Sequence, residues 1–410
     1  MSAPTGRGVD TADFDLRALP AGFYDDPYPW YAALQRDEPV KRLPGGGVLL
    51  TRCADLRTVY EDSASFSSDK RAEFTPKFGS GHLFRHHTTS LVFNDAPYHT
   101  RVRKLIVGAL LPRAIAHREA GLQTLVARLL ADLDGDAADL IGGFAGAIPV
   151  EVISDLLEIP IDERGPLRGW SQDILGALEP APTMEALARG ETALAGFHAY
   201  LGGLIAERRK SPRDPERDVL SRLILGEPEG EPLSQSELLE NCVFLLNAGH
   251  ETTTNLIGNL IEALWRFPAE RARLVATPGL ITGAVDEALR FESSNQLGNR
   301  VTAKEADIRG VRLPAGAQIT LAIGAANRDP EVFEQPDRFD ILRTPNRHLA
   351  FAAGPHQCAG ANLARLEARV AVGALLARCP DYEILPGARR TARARFRGFS
   401  TLPVKLHPHP

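Results

Sequence analysis

The chain is poor in cysteine and methionine and has no long apolar run. Its 410 residues hold four cysteines and two methionines. Cys53, Cys242, Cys358 and Cys379 include no C-x-x-C pair, which excludes a disulfide scaffold and the usual zinc spacings. No stretch approaches the ~18 consecutive apolar residues of a membrane span. Met1–Leu16 carries Arg7, Asp10, Asp13 and Asp15 without an apolar centre, so no secretory leader is expected. A basic excess is also missing. The 47 Lys and Arg against 52 Asp and Glu leave a net charge of −5, which argues against a nucleic-acid binder. There is no internal repeat and no low-complexity tract. What remains is an ordinary globular composition, 44% apolar and 24% charged, expected to be soluble and cytoplasmic.

At about 150 residues per domain the length suggests two to three domains, but no linker-like stretch divides the chain. The expectation is one domain over residues 1–410, with residues 1–20 a poorly ordered tail. Gly45-Gly46-Gly47 separates two short strand-like runs, and Leu56–Tyr60 reads as helix. From Ser67 to Asn94 no clean period is visible. This segment holds Arg71, Lys77, Arg85, His86 and His87, and a long irregular loop of this kind often binds a ligand. After Pro97 helical patterns dominate, broken at Pro112, Pro149, Pro160 and Pro180–Pro182. Strands come late and short, around Ile308, Val311–Leu313 and Gln318–Ile323, punctuated by Arg309-Gly310 and Pro314-Ala315-Gly316. The fold class is therefore mostly α with small β-sheets.

Three features carry chemistry. Ser234-Gln235-Ser236-Glu237 is a capping box, and the helix it opens runs to Phe267, where Pro268 ends it. That is roughly 45 Å at about 1.5 Å per residue, enough to cross the molecule. Its centre, Ala248-Gly249-His250-Glu251-Thr252-Thr253-Thr254, puts a glycine, a carboxylate and three β-branched residues where Leu and Ala would serve better. Glycine there costs about 1 kcal/mol. Two readings follow: a locally opened helix whose acid and alcohol handle protons, or a kink with threonine hydroxyls bonded back to carbonyls. Farther on, Glu287 and Arg290 are three apart and share a helical face; alone, such a pair is usually an exposed one of little worth. Finally, Phe351-Ala352-Ala353-Gly354-Pro355-His356-Gln357-Cys358-Ala359-Gly360 places one cysteine between turn glycines at the start of a helix. Amides and dipole at a helix N-terminus favour a thiolate, which can serve as the single axial ligand of haem iron. The alternatives are a buried inert cysteine, the reading given to Cys53, Cys242 and Cys379, and a nucleophile paired with His356.

Taken together, these motifs resemble bacterial soluble cytochrome P-450, a family of haem-thiolate monooxygenases. The resemblance runs from about Asp25 to Leu406 and adds Asn327-Arg328-Asp329-Pro330 and Pro336-Asp337-Arg338-Phe339-Asp340 in order. It implies haem b seated between the long central helix and the helix of the cysteine loop. Cys358 would bind the iron. His99, Arg103, Arg300 and His356 would hold the propionates, with Phe351, Gly354, Gly360 and Ala248 also against the cofactor. Glu251 and Thr252 would deliver protons during dioxygen reduction. Glu287, Arg290 and Arg338 would form a structural ion-pair network. Glu251 stands where the family often has Asp, and Ala352-Ala353 where it often has a Gly pair.

The resemblance also implies a small, mostly apolar substrate, aromatic, terpenoid or carboxylate-bearing, touched by Phe244, Asn247, Ala248, Ser294, Gln296, Leu297 and Phe399. Arg71, Arg85, His86 or His87 are candidates for pairing with a substrate carboxylate. A fused reductase has no room, and no flavin or nicotinamide fingerprint is present, so electrons would come from a separate ferredoxin or flavodoxin with its NAD(P)H reductase. The partner would dock near Arg113, Arg347 and Arg365 on a monomer that binds neither nucleic acid nor membrane. Competing readings are a haem-thiolate peroxygenase or isomerase, and a non-catalytic haem-binding protein. The pair Glu251 and Thr252 favours the monooxygenase.

Overall fold

The long helix forms where its cap and its proline place it. The Ser234 hydroxyl accepts from the Glu237 amide, the Glu237 carboxylate accepts from the Ser234 amide, and the helix runs from Gln235 to Arg266. The computed structural model describes residues 9–110, 115–133, 137–226 and 231–407. In chain order its helices are α1 (Tyr28–Asp37), α2 (Cys53–Glu61), α3 (Arg71–Phe78), α4 (His82–Thr89), α5 (Tyr98–Ala109), α6 (Glu119–Ala131), α7 (Ala147–Leu156), α8 (Leu167–Gly176), α9 (Met184–Lys210), α10 (Val219–Leu225), α11 (Gln235–Arg266), α12 (Pro268–Ala276), α13 (Ile281–Phe291) and α14 (Ala361–Arg378). The central α11 packs against α4, α7, α8, α9, α13 and α14, which explains its apolar circumference. Among the described residues no helix is long and apolar enough to cross a membrane.

The centre of α11 is unbroken helix. Thr252 Oγ1 donates to the Ala248 carbonyl at 3.1 Å and Thr254 Oγ1 to that of His250 at 3.0 Å, so the hydroxyls are bonded back and the helix is not opened. Gly249 has a packing reason. A Cβ there would lie 3.3 Å from Ile153 Cδ1 on α7, tight enough to push the helices apart.

The principal sheet has five strands in the order β1-β2-β8-β5-β3: β1 (Val40–Arg42), β2 (Val48–Leu50), β3 (Phe66–Ser67), β5 (Leu297–Thr302) and β8 (Gln318–Ala322). β2 and β8 are parallel, while β5 runs antiparallel to both β8 and β3. The strands β4 (Ala138–Asp139), β9 (Glu383–Ile384) and β12 (Pro403–Lys405) form a second sheet; β6 (Ala306–Ile308) with β7 (Val311–Leu313) and β10 (Arg389–Arg390) with β11 (Phe399–Thr401) are two-stranded.

Two expectations need correction. The segment 67–94 is not an irregular loop: α3 and α4 fill most of it, and their apolar positions (Phe74 and Phe78, Leu83 and His87) recur at i, i+4 and are buried. The expected tail of residues 1–20 is packed in part. Residues 1–8 lie outside the described residues, but Phe14 and Leu16 are buried in a cluster with Phe23, Tyr28, Tyr31 and Leu297, because their apolar surface finds the outer face of α1 and β5.

Both ends of the sequence meet its middle at one carboxylate. Glu292, 1% exposed, accepts from Tyr28 Oη at 3.0 Å and is paired with Arg397 Nε, with Arg390 Nη2 at 3.5 Å. Arg397 also donates to the Tyr24 and Asp25 carbonyls at 2.8 and 2.7 Å.

Candidate functional site

The cysteine loop is shaped by its backbone. Ala352 has φ +57° and Gly354 φ +66°. A Cβ on Gly354 would fall 2.4 Å from the Tyr60 carbonyl oxygen of α2, so only glycine fits. A single 3₁₀ turn, Gly354–His356, follows; the Cys358 amide donates to the Phe351 carbonyl at 2.9 Å and that of Gln357 to Gly354 at 3.0 Å. Cys358 is exposed, while Cys53, Cys242 and Cys379 are buried. That surface opens on a protein-walled cleft. Enclosure pushes the thiol pKa up, while the Gly360 amide and the guanidinium groups of Arg103 and Arg365 favour the thiolate.

The matching surface lies on α11. Most of this helix is buried, yet Ala248 is exposed and Phe244, Gly249 and Thr252 are half-buried. Residues 244, 248 and 252 are four apart and make one stripe along the helix.

Basic groups gather beside the loop. The His99 and His356 rings stack at 3.9 Å. His356 Nε2 lies 3.1 Å from Ser68 Oγ and 3.8 Å from Asp95 Oδ1. Arg103, on α5, donates to the Gln357 carbonyl at 2.6 Å. Arg300, 8% exposed, lies over the Tyr60 ring at 5.1 Å and donates to the Asn299 carbonyl. His99 is 3% exposed and its Nε2 has no partner; burial, then His356 and Arg103, push its pKa down to about 4. Burial likewise lowers Arg300 and Arg103. Three of these side chains, His99, Arg300 and His356, respond to one acid, Asp95, and among the described residues His99 keeps an orphaned ring nitrogen. Buried groups of this kind need anionic partners, and the two carboxylates of a haem would supply them. A reachable thiolate and an accessible helix stripe complete the fit: Cys358 for the iron, and His99, Arg103, Arg300 and His356 for the propionates.

Glu251 lies on another flank of α11. It is 6% exposed, and Arg393 Nη1 reaches both of its oxygens at 2.6 Å. Burial raises its pKa and Arg393 lowers it, with a net rise. Beside it opens a cavity of about 390 Å³ lined by His250, Glu251, Asn255, Arg168, Arg393 and Phe399 among others.

The ion-pair network forms with one exchange. Arg290 makes a two-pronged pair with Glu287 at 2.8 and 2.9 Å, both fully buried. The second guanidinium belongs to Arg343, with Nε 3.2 Å from both Glu287 oxygens, and Asn346 adds a bond at 3.1 Å. The Arg338 side chain is exposed, and only its backbone carbonyl takes part, accepting from Arg290 and Arg343. The turn after Phe339 buries the ring and carries position 343, not 338, inward.

The expected substrate contacts divide. Phe244 belongs to the accessible stripe. Asn247 is 3% exposed with neither amide atom partnered. Ser294 Oγ and Gln296 Oε1 are also buried without partners. Leu297 is a correction: its side chain is fully buried in the cluster with Tyr28 and Tyr31. Alternation along β5 gives Gly298 and Arg300 one face and Leu297 the other. Phe399 is another. It lies 4.2 Å below Arg390 and against Gly258, lining the cavity beside Glu251, away from Ala248 and Thr252.

Three of the four proposed carboxylate-binding cations are already engaged, while His87 is buried with its Nε2 unpartnered among the described residues. Arg71 bonds Asp69 at 2.6 Å. Arg85 and His86 both hold Glu240, at 3.2 and 3.1 Å. Among the docking arginines, Arg113 lies outside the described residues and Arg347 is exposed. Arg365 is committed to Asp286 at 2.7 Å, over the Phe351 ring. Sequence reasoning missed Arg343, Arg393 and Arg395. The one available signal was the alternation Arg393-Ala-Arg395-Phe-Arg397 among buried apolar neighbours.

Comparison with known proteins agrees with this geometry. The Cytochrome P450 family model matches residues 279–404. The chain is 38% identical over 404 residues to a vitamin D(3) 25-hydroxylase of Pseudonocardia autotrophica, covering 94% of this chain and 95% of that protein. It is 37% identical over 403 residues to the cytochrome P450 monooxygenase PikC of Streptomyces venezuelae, covering 95% and 94%. The crystal structure of CalO2 superposes with a TM-score of 0.89 at 31% identity, covering 97% of this chain and 100% of that one. Similarity of that extent along nearly its whole length places the chain in the cytochrome P450 family.

Proposed function

We propose that this cytochrome P450 monooxygenase, whose cofactor is haem b, inserts one oxygen atom of dioxygen into a small, mostly apolar organic molecule by hydroxylation or O-dealkylation. One relative, a vitamin D(3) 25-hydroxylase, supports hydroxylation. Electrons come from a separate ferredoxin or flavodoxin and its NAD(P)H reductase. The observation that carries the reading is the pairing of two internal surfaces, the Cys358 sulfur at the start of α14 and the stripe Phe244, Ala248 and Thr252 on α11.

The haem iron, when bound, supplies the reductive activation of dioxygen. The chain's own work is holding and proton supply. Cys358 would bind the metal, supplying a thiolate that donates electron density to it. His99, Arg103, Arg300 and His356 fix the ring through its carboxylates. The Thr252 hydroxyl donates a hydrogen bond to the Ala248 carbonyl, leaving its oxygen lone pairs free to accept from water. Glu251, held by Arg393, is the acid that exchanges protons with the cavity behind it. Rotation of the Thr252 hydroxyl off Ala248 then passes a proton onward.

The test has two stages. Reduced protein treated with carbon monoxide should show the red-shifted Soret band of thiolate ligation, and Cys358→Ala should abolish it. Turnover with NADH and a ferredoxin–reductase pair should then incorporate labelled dioxygen into product. A Cys358→Ala protein with an unchanged spectrum overturns the ligand assignment. A normal spectrum without oxygen incorporation for any ligand that shifts the haem spin state overturns the monooxygenase reading.

A further inference from the structure

Arg395 stands between β10 and β11. Its Nε donates to the Leu178 carbonyl at 3.1 Å and its Nη1 to that of Leu297 at 2.7 Å. Nη2 has no acceptor, and no carboxylate pairs with this guanidinium, among the described residues. The side chain is half-buried, so part of it stays uncovered by protein.

Its surroundings carry surplus positive charge. Lys77, on α3, reaches only a neutral acceptor, the Glu179 carbonyl at 2.9 Å, and lies 5.1 Å from the Phe78 ring centre. Burial, and then Arg395 itself, depress its pKa to about 8. The two acids that act on Arg395 are already occupied. Glu73 pairs with Lys70 at 2.8 Å. The Glu179 carboxylate accepts the Ala394 and Arg395 amides at 2.8 and 3.2 Å. Lys70, Lys77 and Arg395 thus exceed Glu73 and Glu179 by a single charge. Close by, His87 is 2% exposed, its Nε2 has no partner, and its ring lies among Phe74, Phe78 and Phe93 at 5.6, 5.3 and 5.7 Å. His87 responds electrostatically to both Lys77 and Arg395. Lys70 Nζ donates to the Arg300 carbonyl at 3.4 Å, and Arg300 lies over the Tyr60 ring, so this cluster adjoins the group proposed for the propionates.

We propose that Arg395, with Lys77 beside it, is the anion receptor of the substrate pocket and selects an otherwise apolar molecule bearing one carboxylate. An uncompensated buried cation is costly, and a free guanidinium edge with a neighbouring ammonium matches a two-oxygen monoanion. A phosphate dianion would overshoot the single surplus charge. The inference rests on the monooxygenase reading, since it names what that pocket takes.

Calorimetric titration of the haem-loaded protein with dodecanoate and with 3-phenylpropanoate, each against its methyl ester, tests it. The acids should bind at least about tenfold tighter than the esters, a difference of ~1.4 kcal/mol. Arg395→Leu should erase that preference while ester affinity and haem content stay unchanged. Arg395→Lys should keep part of it, and Lys77→Met should weaken it. Equal affinity for acid and ester in the unaltered protein, including no binding of any acid, overturns the proposal. So does an Arg395→Leu protein that retains the preference, or one that loses haem, which would assign the arginine to the cofactor. These outcomes are binding measurements, so they remain distinct from failure to show the thiolate spectrum or to turn over.

Discussion

A carboxylate that delivers protons must change charge within the working pH range, and at Glu251 two forces compete over that change. Burial favours the neutral acid, and the Arg393 guanidinium at 2.6 Å favours the anion. Glu251→Gln keeps the shape and removes the exchangeable acid, so kcat should fall by about 10²-fold with haem content unchanged. Arg393→Gln leaves burial unopposed. The acid then stays protonated to higher pH, and the limb of the kcat–pH profile governed by Glu251 should move to higher pH. Single residues also decide the ion-pair network. Removing one partner of the buried Glu287–Arg290 pair strands a charge, so Arg290→Ala should cost about 3–5 kcal/mol in denaturant unfolding. Arg338→Ala should stay within about 0.5 kcal/mol, while Arg343→Ala should fall clearly below the unaltered protein. Ala352 holds a left-handed conformation that suits glycine, and Ala352→Gly should raise stability by up to about 1 kcal/mol. The sequence pattern reveals Cys358, Glu251 and the Glu287–Arg290 pair because each lies in a short stretch with its own spacing. It hides Arg393, whose partner is 142 residues away, and it misplaces Leu297 by one step of a strand, which reverses the face.

Elements show the same division. The capping box and Pro268 bound α11 to within a residue of its observed ends, since both signals are local. The helices α3 and α4 escape such a reading. Each spans eight residues, too few for a helical period to stand out, and Pro76 interrupts the first. What fixes α4 is distant. Glu191 of α9 accepts the His82 and Leu83 amides at 2.8 and 3.1 Å. Glu240 of α11, fully buried, takes bonds from Arg85, from His86 and from His198 of α9. Burial alone would raise the Glu240 pKa, but the bonds from His198 and His86 outweigh it and bring it from 4.5 to about 2. A carboxylate lowered on folding adds stability that is present above its unfolded pKa and lost as pH falls toward the folded one. Unfolding followed between pH 4.5 and 2 should show up to about 3 kcal/mol disappearing through this group. Glu240→Gln should flatten that part of the profile while lowering stability at neutral pH.

The whole molecule is arranged around α11, with the cysteine loop on one side and the cavity beside Glu251 on another. On the proposed reading, electron entry belongs near the cysteine loop and proton entry near the C-terminal hairpin. With Arg365 engaged by Asp286, Arg347 is the exposed cation left from the expected docking set. Arg347→Glu should slow reduction by a ferredoxin several-fold at low salt, and added salt should shrink the difference, as screening predicts. Stopped-flow reduction at two ionic strengths measures both.

The meeting of Tyr28, Glu292, Arg390 and Arg397 has a consequence for biosynthesis. A ribosome makes the first helix, Glu292 and Arg328, whose charge also acts on that acid, well before Arg390 or Arg397 emerges, so a nascent chain carries the acid without the two arginines that pair with it in the finished fold. The closing strands act as a completion signal: the enzyme can take its finished shape only once Arg390 and Arg397 have been translated.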